Sequence, residues 1–83
     1  MASANTFHLV IASVGETHFN GEAVSATMPG SDGECTILAH HEPFVTTLRP
    51  GTIVARTPEG EPQKFAVTDG VVECSDNYVT VLL

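Results

Sequence analysis

The chain has 83 residues, 42% of them hydrophobic and only 16% charged, and a net charge of −7. That length makes one domain, and that balance belongs to a small folded domain, not to a disordered acidic tail. Ten carboxylates against three basic side chains argue against nucleic acid, whose binding rests on Lys and Arg neutralising phosphate, and against anionic membrane surfaces; a cationic protein partner is compatible.

Met1–Asn5 is small and polar and reads as a disordered start. Thr6–Ser13 reads as a strand with Phe7, Leu9 and Ile11 on one face; its mixed second face points to cover on both sides. Gly15-Glu16 is a bend. Thr17–Asn20 is a short strand broken by the turn dipeptide Asn20-Gly21. Glu22–Met28 alternates as a strand does, and Pro29 ends it. Gly30-Ser31-Asp32-Gly33 is an acidic tight turn, because glycine accepts positive φ and Ser and Asp bond their own backbone.

Glu34–Leu38 is the next short strand, and Ala39–Pro43 breaks the pattern, since Pro43 lacks an N–H and biases Glu42 toward extended backbone. Phe44–Leu48 is a strand stopped by Arg49-Pro50-Gly51, in which Pro-Gly suits the centre of a type II turn. Thr52–Thr57, Gln63–Thr68, Val71–Cys74 and Tyr78–Leu83 are further strands. They are separated by Pro58–Pro62, Asp69-Gly70 and Ser75–Asn77. Short strands at this turn spacing, with no amphipathic helical window between them, predict an all-β antiparallel sandwich of about ten strands with essentially no helix. Its core should draw on Phe7, Leu9, Ile11, Phe19, Ile37, Phe44, Leu48, Ile53, Phe65, Val67, Val72 and Val81.

No run approaches the roughly 20 apolar residues needed to cross a bilayer, and the N-terminus lacks the basic and apolar regions of a signal peptide. The simplest reading is cytosolic, in which Cys35 and Cys74, far apart and without a C-x-x-C, are free semi-buried thiols. His40 and His41 are adjacent, so on a strand they point to opposite faces, and their spacing matches no zinc signature. Asp32 and Glu34 on an exposed turn read as solvated carboxylates or as the face shown to a cationic partner, in preference to an acid–base pair. Phosphate loops, dinucleotide fingerprints and nucleophile elbows are absent. Lys64 lies away from the Pro58–Pro62 loop tip and lacks the sequence context of a lipoyl or biotinyl carrier. The residues therefore argue for no enzyme, no metal and no cofactor.

One ordered set of short motifs runs along the chain: Thr6-Phe7-His8-Leu9, Phe19-Asn20-Gly21, Gly30-Ser31-Asp32-Gly33-Glu34, His41-Glu42-Pro43-Phe44 and Thr46-Thr47-Leu48-Arg49-Pro50-Gly51. It continues with Asp69-Gly70-Val71-Val72-Glu73 and Asn77-Tyr78-Val79-Thr80-Val81-Leu82. The set resembles the N-terminal β-sandwich domain of the epsilon subunit of bacterial F-type ATP synthase. The resemblance covers nearly the whole chain, with little change of spacing, so residues 6–83 form one sandwich domain.

The resemblance implies a flattened sandwich of two five-stranded sheets and a non-catalytic rotor role. The domain would link the gamma subunit to the membrane c-ring of a proton- or sodium-translocating synthase, peripheral on the cytoplasmic face of the bacterial inner membrane. It would have no membrane insertion and no bound nucleotide. Ser31, Asp32 and Glu34 take the c-ring contact, and Ser13, His41 and Thr46 the gamma contact. Family members usually continue into an inhibitory helical hairpin, and here the sequence stops at Leu83, so coupling without autoinhibition is expected. Cys35-Thr36 stands where Leu-Gly is usual and Ala39-His40 where Pro-Gly is usual. These departures keep open an alternative, a stand-alone β-sandwich interaction domain outside any synthase.

Overall fold

The computed structural model describes residues 5–83. Those residues form nine strands: β1 (Phe7–Ser13), β2 (Glu16–Ala23), β3 (Ser25–Gly30), β4 (Gly33–Leu38), β5 (Phe44–Leu48), β6 (Gly51–Arg56), β7 (Gln63–Val67), β8 (Gly70–Ser75) and β9 (Tyr78–Leu82). The all-β reading holds, and no helix long and apolar enough to cross a membrane occurs among the described residues. The disordered start expected for Met1–Asn5 lies, apart from Asn5, outside the described residues.

Hydrogen bonding runs in the order β2-β1-β9-β8-β5-β3-β6-β7, with β4 on the other edge of β3. Two layers can be read from that path. One is the five-stranded run β2-β1-β9-β8-β5, the other the four-stranded run β4-β3-β6-β7. They join where Gly30 of β3 pairs with Leu48 of β5. In place of two five-stranded sheets, the strands thus make one curled sheet folded on itself. It is mixed, not purely antiparallel, because β1 and β9 run parallel from His8–Tyr78 to Ala12–Leu82. A parallel pair needs a long crossover, and here the whole chain between β1 and β9 supplies it.

The core follows from the period-two pattern. In β1, Phe7, Leu9 and Ile11 are buried while His8, Val10 and Ala12 are half-buried, as expected for a strand with neighbours on both sides. All twelve predicted core residues are buried or packed against the core. Ala23, Ala26, Met28, Ala55, Cys74 and Val79 join them.

Three local expectations give way to tertiary pairing. Asn20-Gly21 is no turn: β2 runs straight through it, with Asn20 opposite Val10 and Gly21 opposite Leu9. The irregularity sits instead at His18, skipped where Ile11–Phe19 gives way to Ala12–Thr17, a β-bulge. Pro29 does not end its strand. Its carbonyl accepts from Arg49 N–H at 3.0 Å, so its nitrogen also points away from β4 and the missing donor leaves that ladder intact. Gly51 is not in the left-handed region of a type II turn. It is glycine because a Cβ there would lie 2.9 Å from the Pro29 ring.

Cys35 and Cys74 are free thiols, half-buried and buried respectively. Burial pushes both thiols above their ordinary 9.0, helped at Cys35 by the neighbouring Glu34 carboxylate. Holding Cys74 neutral stabilises the fold below about pH 9, and this contribution drains as pH rises and the unfolded thiol ionises first. Iodoacetamide at neutral pH should therefore modify the native protein slowly, Cys35 before Cys74, and both at least about tenfold faster after unfolding. Equal native and unfolded rates at Cys74 would contradict its burial.

Candidate functional site

Turns fall alternately at two ends of the molecule. The β1–β2, β3–β4, β5–β6 and β7–β8 turns share one end, because Gly30 pairs with Leu48 and Leu48 with Gly70. The β2–β3 junction, loop 39–43, loop 57–62 and the β8–β9 turn share the other.

The acidic turn of β3–β4 is a two-residue loop, Ser31-Asp32, closed by the Gly30–Gly33 pair. Both glycines are required, for different reasons. Gly33 has φ +129°, which side-chain-bearing residues rarely adopt, and a Cβ on Gly30 would sit 2.8 Å from the Gly33 carbonyl. Ser31 is exposed and is also tied back to the fold. Its backbone N–H and its hydroxyl both donate to the Thr47 carbonyl, at 2.9 and 3.0 Å, and its Oγ also meets the Thr47 hydroxyl. Ser31 thus ties the turn to the end of β5. Asp32 and Glu34 remain exposed, carried on backbone fixed from both sides.

His41 lies at the opposite end, in loop 39–43. Its N–H donates to the Leu38 carbonyl at 3.2 Å, its Nδ1 donates to the Glu42 carbonyl at 2.8 Å, and its ring meets Phe44 edge-on with centroids 5.1 Å apart. These contacts leave its Nε2 with no partner among the described residues and its side chain exposed. His40 takes φ 63°, and its N–H donates to Asn77 Oδ1 at 2.7 Å. This left-handed conformation is one that glycine adopts freely and that histidine takes here.

Asn77 organises this end, although from sequence it reads only as a turn residue at the head of the closing motif. Asp76 and Asn77 both have positive φ, 52° and 61°, between the paired Ser75 and Tyr78, which is the type I′ hairpin geometry. Besides holding His40, its Nδ2 donates to the Thr6 carbonyl at 2.8 Å, and its own carbonyl accepts from His8 N–H at 3.1 Å. No local signal marks these partners, because Thr6 and His40 are remote in sequence.

The structure gathers Ser31, Asp32 and Glu34 into one hairpin but separates the other three residues. Ser13 ends β1 at the acidic-turn end, half-buried, its hydroxyl 2.9 Å from His18 Nε2, with His18 Nδ1 3.8 Å from Glu16. Thr46 is half-buried on the core side of β5, between Phe44 and Leu48. Ser13 and His41 therefore occupy diagonally opposite corners of the run β1-β9-β8-β5. No group of three or more His, Cys, Asp or Glu that could hold a metal occurs among the described residues. An open concavity of about 310 Å³ borders Asn5, Val24, Leu38 and Ala39 and brings no catalytic constellation together.

The described residues thus present an acidic, glycine-closed hairpin at one end of a sheet folded over itself. The chain belongs to the family of the ATP synthase delta/epsilon chain β-sandwich domain, whose model matches residues 6–83. It is 42% identical over 77 residues to an ATP synthase epsilon chain of Bradyrhizobium sp. (strain ORS 278), covering 93% of this chain and 56% of that one. It is 36% identical over 78 residues to that of Delftia acidovorans, covering 94% and 56%. The chain thus spans little more than half the length of these relatives. In solved structures the same fold occurs in the Euglena gracilis mitochondrial ATP synthase OSCP/F1/c-ring assembly, with TM-score 0.86, 22% identity, and 93% of this chain and 49% of that one covered. It recurs in the Tetrahymena thermophila mitochondrial ATP synthase central stalk/c-ring assembly, with TM-score 0.79, 16% identity, and 90% and 60% covered.

Proposed function

We propose that this domain is a central-stalk element of a bacterial F-type ATP synthase, a non-catalytic link between the gamma subunit and the c-ring, peripheral on the cytoplasmic side of the membrane. The observation that carries the reading is the acidic turn in a chain of this family. Asp32 and Glu34 are exposed on a hairpin held rigid by Gly30, Gly33 and the Ser31–Thr47 bonds. A pre-organised pair of carboxylates registers against basic loops with little ordering cost, which contributes mainly specificity and association rate. Asp32 and Glu34 take the c-ring contact in this reading, with Ser31 as their brace. His41, with its free Nε2, Thr46 and Ser13 belong to the gamma side. The sequence has no phosphate-cradling glycine loop, so in this reading calorimetry with ATP should give no binding heat.

The double reversal Asp32→Lys, Glu34→Lys tests the reading. Stability should change by no more than about 0.5 kcal/mol per site, because both side chains are exposed. Association of the catalytic sector with the membrane sector should fall at least about tenfold, since like charges then face each other. Undiminished ATP-driven proton pumping by the double variant would remove the c-ring assignment.

A further inference from the structure

Three peptide bonds of this chain join Asn or Asp to Gly: Asn20-Gly21, Asp32-Gly33 and Asp69-Gly70. At such bonds a backbone rearranges without an enzyme. The glycine nitrogen gives its proton to solvent base and attacks the side-chain carbonyl carbon, unhindered because glycine has no Cβ. An N–Cγ bond forms, and ammonia leaves from Asn or water from Asp. Water then reopens the five-membered imide. Cleavage at the side-chain carbonyl gives Asp; cleavage at the main-chain carbonyl gives isoaspartate, whose main chain runs through Cβ and Cγ. In an unfolded chain Asn-Gly reacts fastest, because an amide is a better electrophile than an ionised carboxylate.

We propose that the fold reverses this order, making Asp32-Gly33 the site of backbone modification in the native domain and protecting Asn20-Gly21. Asn20 and Asp32 are both exposed, so access of water does not separate them; backbone freedom does. Imide closure turns the peptide after Asn or Asp out of extended geometry. For Asn20 that peptide lies inside a ladder, where Ile11–Phe19, Val10–Asn20 and Leu9–Gly21 are consecutive pairs. Its side chain is held as well: Asn20 Oδ1 lies 2.7 Å from His8 Nε2, and the His8 ring stacks on Tyr78 with centroids 4.8 Å apart. Gly70 is fixed by its pairing with Leu48 and by the Leu82 carbonyl, 2.7 Å from where a Cβ would stand. Asp32 belongs to no strand, and its carboxylate has no hydrogen bond or ion pair among the described residues. A Cβ added to Gly33 would meet nothing within 4 Å, so the carboxyl has room to fold back on the Gly33 nitrogen. Closure there opens only the last pair of the β3–β4 ladder, Gly30–Gly33, and ladder ends open far more readily than interiors. The product adds one methylene to the main chain of a two-residue loop and frees a main-chain carboxyl, the group that isoaspartate-specific carboxyl methyltransferases accept.

Prolonged warm incubation at neutral pH, of the native chain and of the chain in denaturant, tests this. Peptide mapping reads deamidation at Asn20 from the mass gained when an amide becomes an acid. Isoaspartate at Asp32 and Asp69 is read from methyl transfer by an isoaspartyl carboxyl methyltransferase and from its backbone fragment ions. In the native chain Asp32 should rearrange at least about tenfold faster than Asn20 or Asp69. In denaturant the order should invert, with Asn20 at least about tenfold ahead, because the ladder that restrains it is gone. Asp32→Glu, whose imide would need a six-membered ring, should remove methyl acceptance by the native chain and leave its melting temperature unchanged. His8→Ala frees the Asn20 side chain alone and should speed its deamidation less than unfolding does. Native deamidation of Asn20 ahead of Asp32 rearrangement, equal Asn20 rates in native and unfolded chains, or native isoaspartate at Asp69 ahead of Asp32 would overturn the proposal. So would an Asp32 that rearranges in denaturant and not in the native chain.

Discussion

Gly70→Ala is expected to destabilise the domain by about 3 kcal/mol or more, among the largest effects of any single methyl added to this chain. Gly70 opens β8 at the crossing of three strands, paired with Leu48 of β5 and followed by the Val71–Leu82 pair with β9. Its φ of +154° is one that side-chain-bearing residues rarely adopt. A Cβ would also lie 2.7 Å from the Leu82 carbonyl oxygen and 3.0 Å from Leu83 Cδ2. A side chain can swing aside, but a ladder carbonyl cannot without opening the β8–β9 pairing on which β1 also depends. Gly60→Ala is the matched control. Gly60 has φ +88° but nothing within 4 Å of its added Cβ, so it should show conformational strain alone, about 1 kcal/mol. Chemical denaturation of both variants separates the two contributions. Equal losses would mean that the close approach to Leu82 is relieved at no cost.

The same residue illustrates what was legible in the sequence. Asp69-Gly70 reads as a turn from composition, yet the reason for glycine there is a contact with Leu82, twelve positions away. Strands were legible wherever alternation was clean, as in Phe7, Leu9 and Ile11, because burial on one face writes a period of two into the chain. Asn20-Gly21 misled because a turn dipeptide is a local preference, and the ladder with β1, with Asn20 Oδ1 and His8 Nε2 2.7 Å apart, outweighs it. Ala23, Ala26 and Ala55 were silent because a small residue in the core looks the same as one on the surface. The parallel β1–β9 pair was illegible for a further reason: it joins the two ends of the chain, and no periodicity reports which strands meet. Of the candidate site, the acidic turn was plain from Gly-Ser-Asp-Gly. The brace from Ser31 to Thr47 was not, since it depends on where β5 ends in space. Ser13 and His41 were assigned to one partner by resemblance, and only the strand order shows that a whole sheet face lies between them.

Asn77→Ala should cost about 3 kcal/mol and Asn77→Gly about 2 kcal/mol, an order that runs against the usual penalty for glycine in a strand-rich fold. Asn77 holds φ 61° in the β8–β9 turn, which glycine adopts freely and alanine does not. The remaining loss is common to both variants, because each removes the bonds from His40 N–H to Oδ1 and from Nδ2 to the Thr6 carbonyl. Each such bond contributes about 1 kcal/mol net. The two bonds tie the start of β1 and loop 39–43 to one hairpin, so their removal should be felt at His41 as well as in global stability. Hydrogen exchange separates these effects. In Asn77→Gly the His40 amide loses its acceptor and should exchange at least about tenfold faster even where the core amides of Val72 and Val79 are little changed. A parallel drop in gamma affinity would tie that loop to docking, since an ordered loop binds with less entropy to lose. Equal exchange at His40 in the wild type and in Asn77→Gly would show that the loop is held by its own contacts, His41 N–H to the Leu38 carbonyl and His41 on Phe44.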